Sequence, residues 1–160
     1  MRLSDSVEGR LIAAMAIAIV TEQEAIQTLT LLAACLRQPS AMGSELLLAK
    51  GFSATGVSSF LRMGKSYETS VTIVHDSILT DEAAAVLAAA DRLAVQHGLA
   101  SVGEECLLLA LLEFRSAACQ KFAADFVSNE EYDELVAYSR KRLKRLASQE
   151  GGENHLGRFT

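Results

Sequence analysis

The chain has no tryptophan, a single proline (Pro39) and only 6% aromatic residues among its 160. A β-sandwich or barrel draws on aromatic and β-branched residues, so their scarcity argues against one. Alanine and leucine dominate the apolar set instead, which favours packed helices. Basic excess is also missing. The net charge is −5, whereas nucleic-acid binders are usually basic. Cysteines number three, Cys35, Cys106 and Cys119, and all lie in apolar helical runs. An odd number cannot pair fully within one chain, and the spacing matches no zinc pattern. Buried free thiols in a reducing cytoplasm are expected. Long hydrophobic runs are absent too. LIAAMAIAIV at 11–20 has ten residues, and a membrane helix needs about 20. The segment before it balances Arg2 and Arg10 against Asp5 and Glu8, and Glu22 and Glu24 follow it. That is not the pattern of a signal peptide.

What is present is apolar and helical. Hydrophobic residues make up 50%, charged residues 22%, and mean hydropathy is +0.21. Such a chain is neither disordered nor low in complexity. At 17.2 kDa it can bury roughly 70% of its unfolded surface without disulfides or metal.

Residues 7–20 predict a first helix that is apolar nearly all round, and so a central one. Thr21–Glu24 has capping-box spacing and predicts the start of a second helix, ended by Pro39. Ser40 then caps a third helix reaching Lys50, with Gly51 as its stop, and a fourth covers 55–62, closed by Gly64. Residues 65–79 lose the helical period and are rich in β-branched residues, which predicts an extended connector with one short strand. Thr80 caps a fifth helix ending near Gly98, and Ser101–Glu104 is a second capping box, opening CLLLALLEF. A helix over 116–126 follows, and Ser128 caps a last one that is acidic at its start and basic at its end. Residues 148–160 are polar and glycine-bearing and predict a linker or tail.

The two halves repeat. A shift of 76 residues sets Leu11 on Leu87, Ala14 on Ala90, Leu36 on Leu112 and Leu46 on Phe122, with no gap through the third helix. The stretch LTDEAAAVLAAADRLAVQHGLASVGEECLLLALLEFRSAACQKFAADF resembles the repeat of Clp N-terminal domains. That repeat has a long helix, a V/I-G-[TS]-E-H turn and a leucine-rich helix. TLTLLAACLRQPSAMGSELLLAKGF resembles a divergent first copy. The tail HLGRFT is similar to the start of the segment leading to the first ATPase module in Clp unfoldases.

The resemblance implies an all-α fold, a pseudo-twofold tandem repeat of two four-helix units with about eight helices. The double repeat would span 1–147, with the first copy at about 1–64, the connector at 65–79 and the second copy at about 80–147. Residues 148–160 would lead toward an ATPase module. It also implies a non-catalytic platform that docks unfolded or tagged protein substrates and adaptor proteins on an ATP-dependent unfoldase or disaggregase. The isolated domain would be a monomer and its parent a hexamer in the cytoplasm, with no nucleic acid, membrane or cofactor involved. Two other readings stay open: a free-standing accessory protein regulating a Clp ATPase or protease, and a helical module sensing peptides or small molecules. No phosphate-binding G-x-x-x-x-G-K-[ST] loop occurs, and no catalytic or metal-ligating motif is found.

Glu105 stands at the acidic position of the family motif, with Cys106 in place of histidine and Glu104 beside it. In family members that read phosphoarginine the acid holds the guanidinium, a match of planar fork to carboxylate. The first copy has Leu29 and Thr30 there, and a leucine cannot hold a guanidinium. Equally, Glu104 and Glu105 suit a helix N-terminus by charge alone. Leu29, Leu47, Phe52 and Phe60 are candidates for an apolar peptide groove, or for plain core. RKRLKR at 140–145 matches the negative end of its helix dipole. His75, His97 and His155 are scattered and form no metal spacing.

Overall fold

The computed structural model describes residues 1–38, 42–63 and 68–157, with side chains for all of these except Met42 and 150–157. Pro39, Ser40 and Gly64, read as helix boundaries, lie outside the described residues, as do residues 158–160 of the tail.

Eight helices are seen among the described residues. They are α1 (Asp5–Val20), α2 (Thr28–Arg37), α3 (Met42–Ala49), α4 (Ala54–Met63), α5 (Asp81–Gln96), α6 (Glu104–Phe114), α7 (Ala117–Ala123) and α8 (Asn129–Gly157). The all-α repeat architecture therefore stands. The connector is more ordered than its composition predicts. It holds an antiparallel hairpin of β1 (Val71–Val74) and β2 (Ser77–Thr80), with Ile73 opposite Ile78. His75 and Asp76 turn it, both at positive φ (49° and 61°), as a two-residue type I′ turn requires.

Adding 76 to the bounds of α1 gives those of α5, and the first residue of α2 maps to the first of α6. The caps match as well. Ser4 and Thr80 have nearly the same backbone angles (φ −67°, ψ 159° and φ −66°, ψ 158°), and each side-chain oxygen accepts the third amide of its helix. Thr21 and His97 end the two helices, followed by Glu22 and Gly98 at φ 60° and 67°.

The copies also exchange backbone. Leu3 bridges to Val102, and Leu79 bridges to Ile26. The Ser4 amide donates to Val102 O (2.9 Å) and the Val102 amide to Arg2 O (2.8 Å). Shifted by 76, these become Thr80 to Ile26 O (2.9 Å) and Ile26 to Ile78 O (2.9 Å). Each copy closes the helix-helix turn of the other.

Several expectations are corrected. Thr21 does not open α2. Its hydroxyl donates back to Ile17 O (2.7 Å) and finishes α1. The box belongs to Gln27 and Thr30, where the Gln27 amide donates to Thr30 Oγ1 at 3.1 Å. Ser101 does not cap α6 either, since Gly103 holds that position without a side-chain bond. Ser128 does cap α8, with Glu131 reciprocating (both 3.1 Å). The helix runs on to Gly157, past the expected end near 147, because adding a residue to an existing helix needs no new nucleus. Finally, α1 is not central. The central pair is α2 and α6, buried from Thr28 to Leu36 and from Cys106 to Leu112. These two pack on each other and are walled by the remaining helices. Helix α1 instead leaves Ile12, Ile19 and Val20 at 73, 68 and 64% exposure.

Candidate functional site

The motif residues sit at the N-terminus of α6, where the first backbone amides lack intrahelical partners. Glu104 and Glu105 occupy its first turn, a favourable place for carboxylates. Glu104 turns toward the first copy. Its Oε1 lies 2.8 Å from Arg10 Nη2 of α1, and both side chains are only 10% exposed. The Ser6 hydroxyl donates to the same oxygen. Arg10 reaches further, donating from Nη1 to Gln38 Oε1 (3.1 Å) and from Nη2 to Gln38 O. Glu104 thus meets a guanidinium, and that guanidinium is the chain's own. Glu105, at the family's acidic position, is half-buried in the same turn.

The matching place in the first copy is the start of α2, with Thr28 where the second copy has Glu104. A carboxylate is found there as well, supplied by the connector. Buried Glu68 accepts from the Thr28 amide (3.0 Å), the Thr28 hydroxyl (2.6 Å) and the Thr80 hydroxyl (2.7 Å). The single proton of the Thr28 hydroxyl goes to Glu68, so Ser116 donates to Thr28 Oγ1 at 2.8 Å. The Cys119 thiol lies 3.6 Å from that oxygen. This network joins both copies and the connector. Sequence reading missed Glu68, which stands among the polar residues Ser66, Tyr67, Thr69 and Ser70 with nothing in the sequence to mark it for burial.

The four apolar candidates do not form a groove. Leu29 and Leu47 are 0% exposed and Phe52 is 2% exposed, so they are core. Leu29 lies in α2, Leu47 in α3 and Phe52 in the loop between α3 and α4, and all three face the shared core. Phe60 is half-buried, edge-on to Phe122 at 5.6 Å between ring centres. Phe52 also meets Phe122, at 5.6 Å, and Phe126, at 5.3 Å. The structure therefore brings Phe52 and Phe60 to one aromatic cluster, with Leu47 tied to Phe52 by the Phe52 amide donating to Leu47 O (3.1 Å), while Leu29 and Glu104 belong to the two central helices.

The remaining motifs are local. Within 140–145, Arg140 pairs with Glu113 (2.7 Å) and Leu143 is buried. His97 Nδ1 lies 2.8 Å from Leu93 O at the end of α5. All three cysteines are free and buried. Among the described residues no group of three or more His, Cys, Asp or Glu side chains is placed to hold a metal ion, and no helix is long and apolar enough to cross a membrane.

Known proteins share this arrangement. The N-terminal domain of the caseinolytic protease associated chaperone ClpD from Arabidopsis thaliana superposes with a TM-score of 0.69 at 15% identity, covering 89% of this chain and 95% of that one. A chain from a structural investigation of a malarial protein secretion system gives 0.63 at 16% identity, covering 91% and 97%. At these identities the likeness concerns the fold. No curated sequence relative matches. The profile of the Clp repeat (R) N-terminal domain matches residues 2–126. Most of the chain, including both leucine-rich helices and the exchange between them, lies inside that match, and the chain belongs to the Clp repeat N-terminal domain family.

Proposed function

We propose that this chain is the substrate- and adaptor-docking domain of a Clp-type ATP-dependent unfoldase or disaggregase, a protein-binding platform without chemistry of its own. The observation that carries this reading is the family match over residues 2–126. In this reading unfolded or tagged proteins and adaptors are held weakly and reversibly. A connection from about residue 148 onward keeps them near the ATPase pore, so that local concentration replaces tight binding. The domain alone is a monomer, its parent is a cytoplasmic hexamer, and no cofactor takes part.

The test is made in cells that produce the protein, with an antibody raised against this domain. The reading expects an antigen several times heavier than 17.2 kDa, containing ATPase peptides, with clients cross-linked to the exposed faces of the repeat. An antigen near 17.2 kDa would replace it with the free-standing accessory reading. Cross-links to neither an ATPase nor a client would end both.

A further inference from the structure

The outward face of α1 has no structural reason to be apolar, and the repeat supplies the control. Ala16 and Val20 correspond, 76 residues on, to Arg92 and Gln96 of α5. The second copy thus writes these positions as a solvated helix face is usually written. The first copy keeps them apolar and adds exposed Ile12 one turn before Ala16, where the second copy has Ala88, whereas exposed Ile19 is matched by exposed Val95 and is common to both copies. Ala16 and Val20 line a groove of about 560 Å³ between α1 and α4, with Ala54 and Ser58 as a small-residue wall.

The rim of this groove is cationic. Arg37 and Arg62, in the last turns of α2 and α4, line it. Among the described residues, neither takes part in an ion pair. The helix C-termini carry about half a negative charge each, which offsets only part of two full charges. Glu22, which follows the groove residue Thr21, lines a different hollow with Glu24 and Glu68. A second copy of this chain is a poorer occupant. A symmetric contact through this face would set Arg37 and Arg62 of one copy against the same two cations of the other.

We infer that the α1–α4 groove docks an acidic amphipathic helix of a partner protein. Apolar side chains of that helix at i, i+4 and i+7 seat on Ala16 and Val20, and its flanking carboxylates pair with Arg37 and Arg62. This rests on the docking-platform reading and names one of its surfaces.

The test uses the full chain and a fluorescent helical probe of about 18 residues, five turns, with leucines on one face and glutamates beside them. A twin probe carries lysine for glutamate. Fluorescence polarisation is expected to show binding of the acidic probe only, with amide NMR shifts confined to α1, α4 and the end of α2. Ala16→Arg with Val20→Gln installs the pair that α5 already carries, and should weaken binding at least ~10-fold, which is ~1.4 kcal/mol. Arg37→Glu with Arg62→Glu changes exposed side chains only, and should exchange the preference to the lysine probe.

Equal binding of the two probes, or indifference to both variants, would overturn the inference. So would a doubled mass in solution that Ala16→Arg/Val20→Gln abolishes, which assigns the face to self-association. Binding to phosphatidylglycerol vesicles with the acidic probe left unbound assigns it to a lipid surface instead. If clients still cross-link to Ala16→Arg/Val20→Gln as before, the platform stands and this groove does not.

Discussion

Arg10 of the first copy and Glu104 of the second meet at 2.8 Å across the pseudo-twofold interface, each nearly closed off from solvent. Arg10→Met keeps an unbranched apolar stem but removes the guanidinium, and leaves Glu104 with the Ser6 hydroxyl. Stranding a mostly buried charge costs about 3 kcal/mol. Urea unfolding of the single and double variants measures it. The double variant Arg10→Met/Glu104→Gln should recover more than 1 kcal/mol relative to additive losses, and strict additivity would mean that the pair does not couple the copies.

Glu68 ties the connector to both copies through three donors. Glu68→Ala strands the Thr28 amide and two hydroxyls, with an expected loss of ~1–3 kcal/mol. Hydrogen exchange gives the sharper readout. Protection should fall first at the Thr28 amide and the start of α2, and a uniform change over the chain would contradict the local role.

Alkaline pH should destabilise the fold. Burial first, then the Glu104 charge, push the Cys35 thiol up to about 12 against the opposing pull of Arg10. Burial raises Cys119 as well, and Tyr132, whose hydroxyl donates to Leu112 O at 2.6 Å. The unfolded chain loses these protons near pH 9 for the thiols and pH 10 for the phenol, while the folded chain keeps them. The unfolded state therefore binds fewer protons, and stability falls as pH rises above about 9, by up to ~1.4 kcal/mol per unit for each group. Urea midpoints at pH 7, 9 and 10 check this, and Cys35→Ala should flatten the decline. Below pH 9 the thiols should react with Ellman's reagent only after unfolding.

Gly43 lets α3 approach α6. A Cβ there would sit 2.5 Å from Leu108 Cδ2 and 3.1 Å from Ser139 Oγ. Gly43→Ala should cost ~1–3 kcal/mol through overpacking. Adding Leu108→Ala removes the clashing methyls, so the double variant should lose less than the two single losses added together. Full additivity in thermal unfolding would rule the contact out.

Much of the fold is legible because its signals are local. Thr80, Gly98 and Ser128 mark helix ends through their own backbone chemistry, and the leucine runs of α2 and α6 announce two buried helices. The repeat spacing needs only the sequence set against itself. The failures concern relations across distance. Thr21 and Ser101 have capping-box spacing, but each lies in a turn whose path is fixed by a bridge to the other copy, at Ile26 and Val102. The apolar girth of α1 predicts burial, yet its neighbours cover one side only. Leu29 and Phe52 suit core packing by residue type, a groove role also fits them, and only packing decides between the two. Glu68 gains its role from Thr28 and Thr80, 40 and 12 residues away.

The exchanged bridges Leu3–Val102 and Leu79–Ile26 make the molecule a dimer tied into one chain. Neither half owns a finished turn between its first two helices, because the strand that closes each turn belongs to the other. Cutting the connector yields no independent module, only two open ends seeking the same complement. A half made alone presents both members of that exchange, and its nearest available complement is another copy of itself.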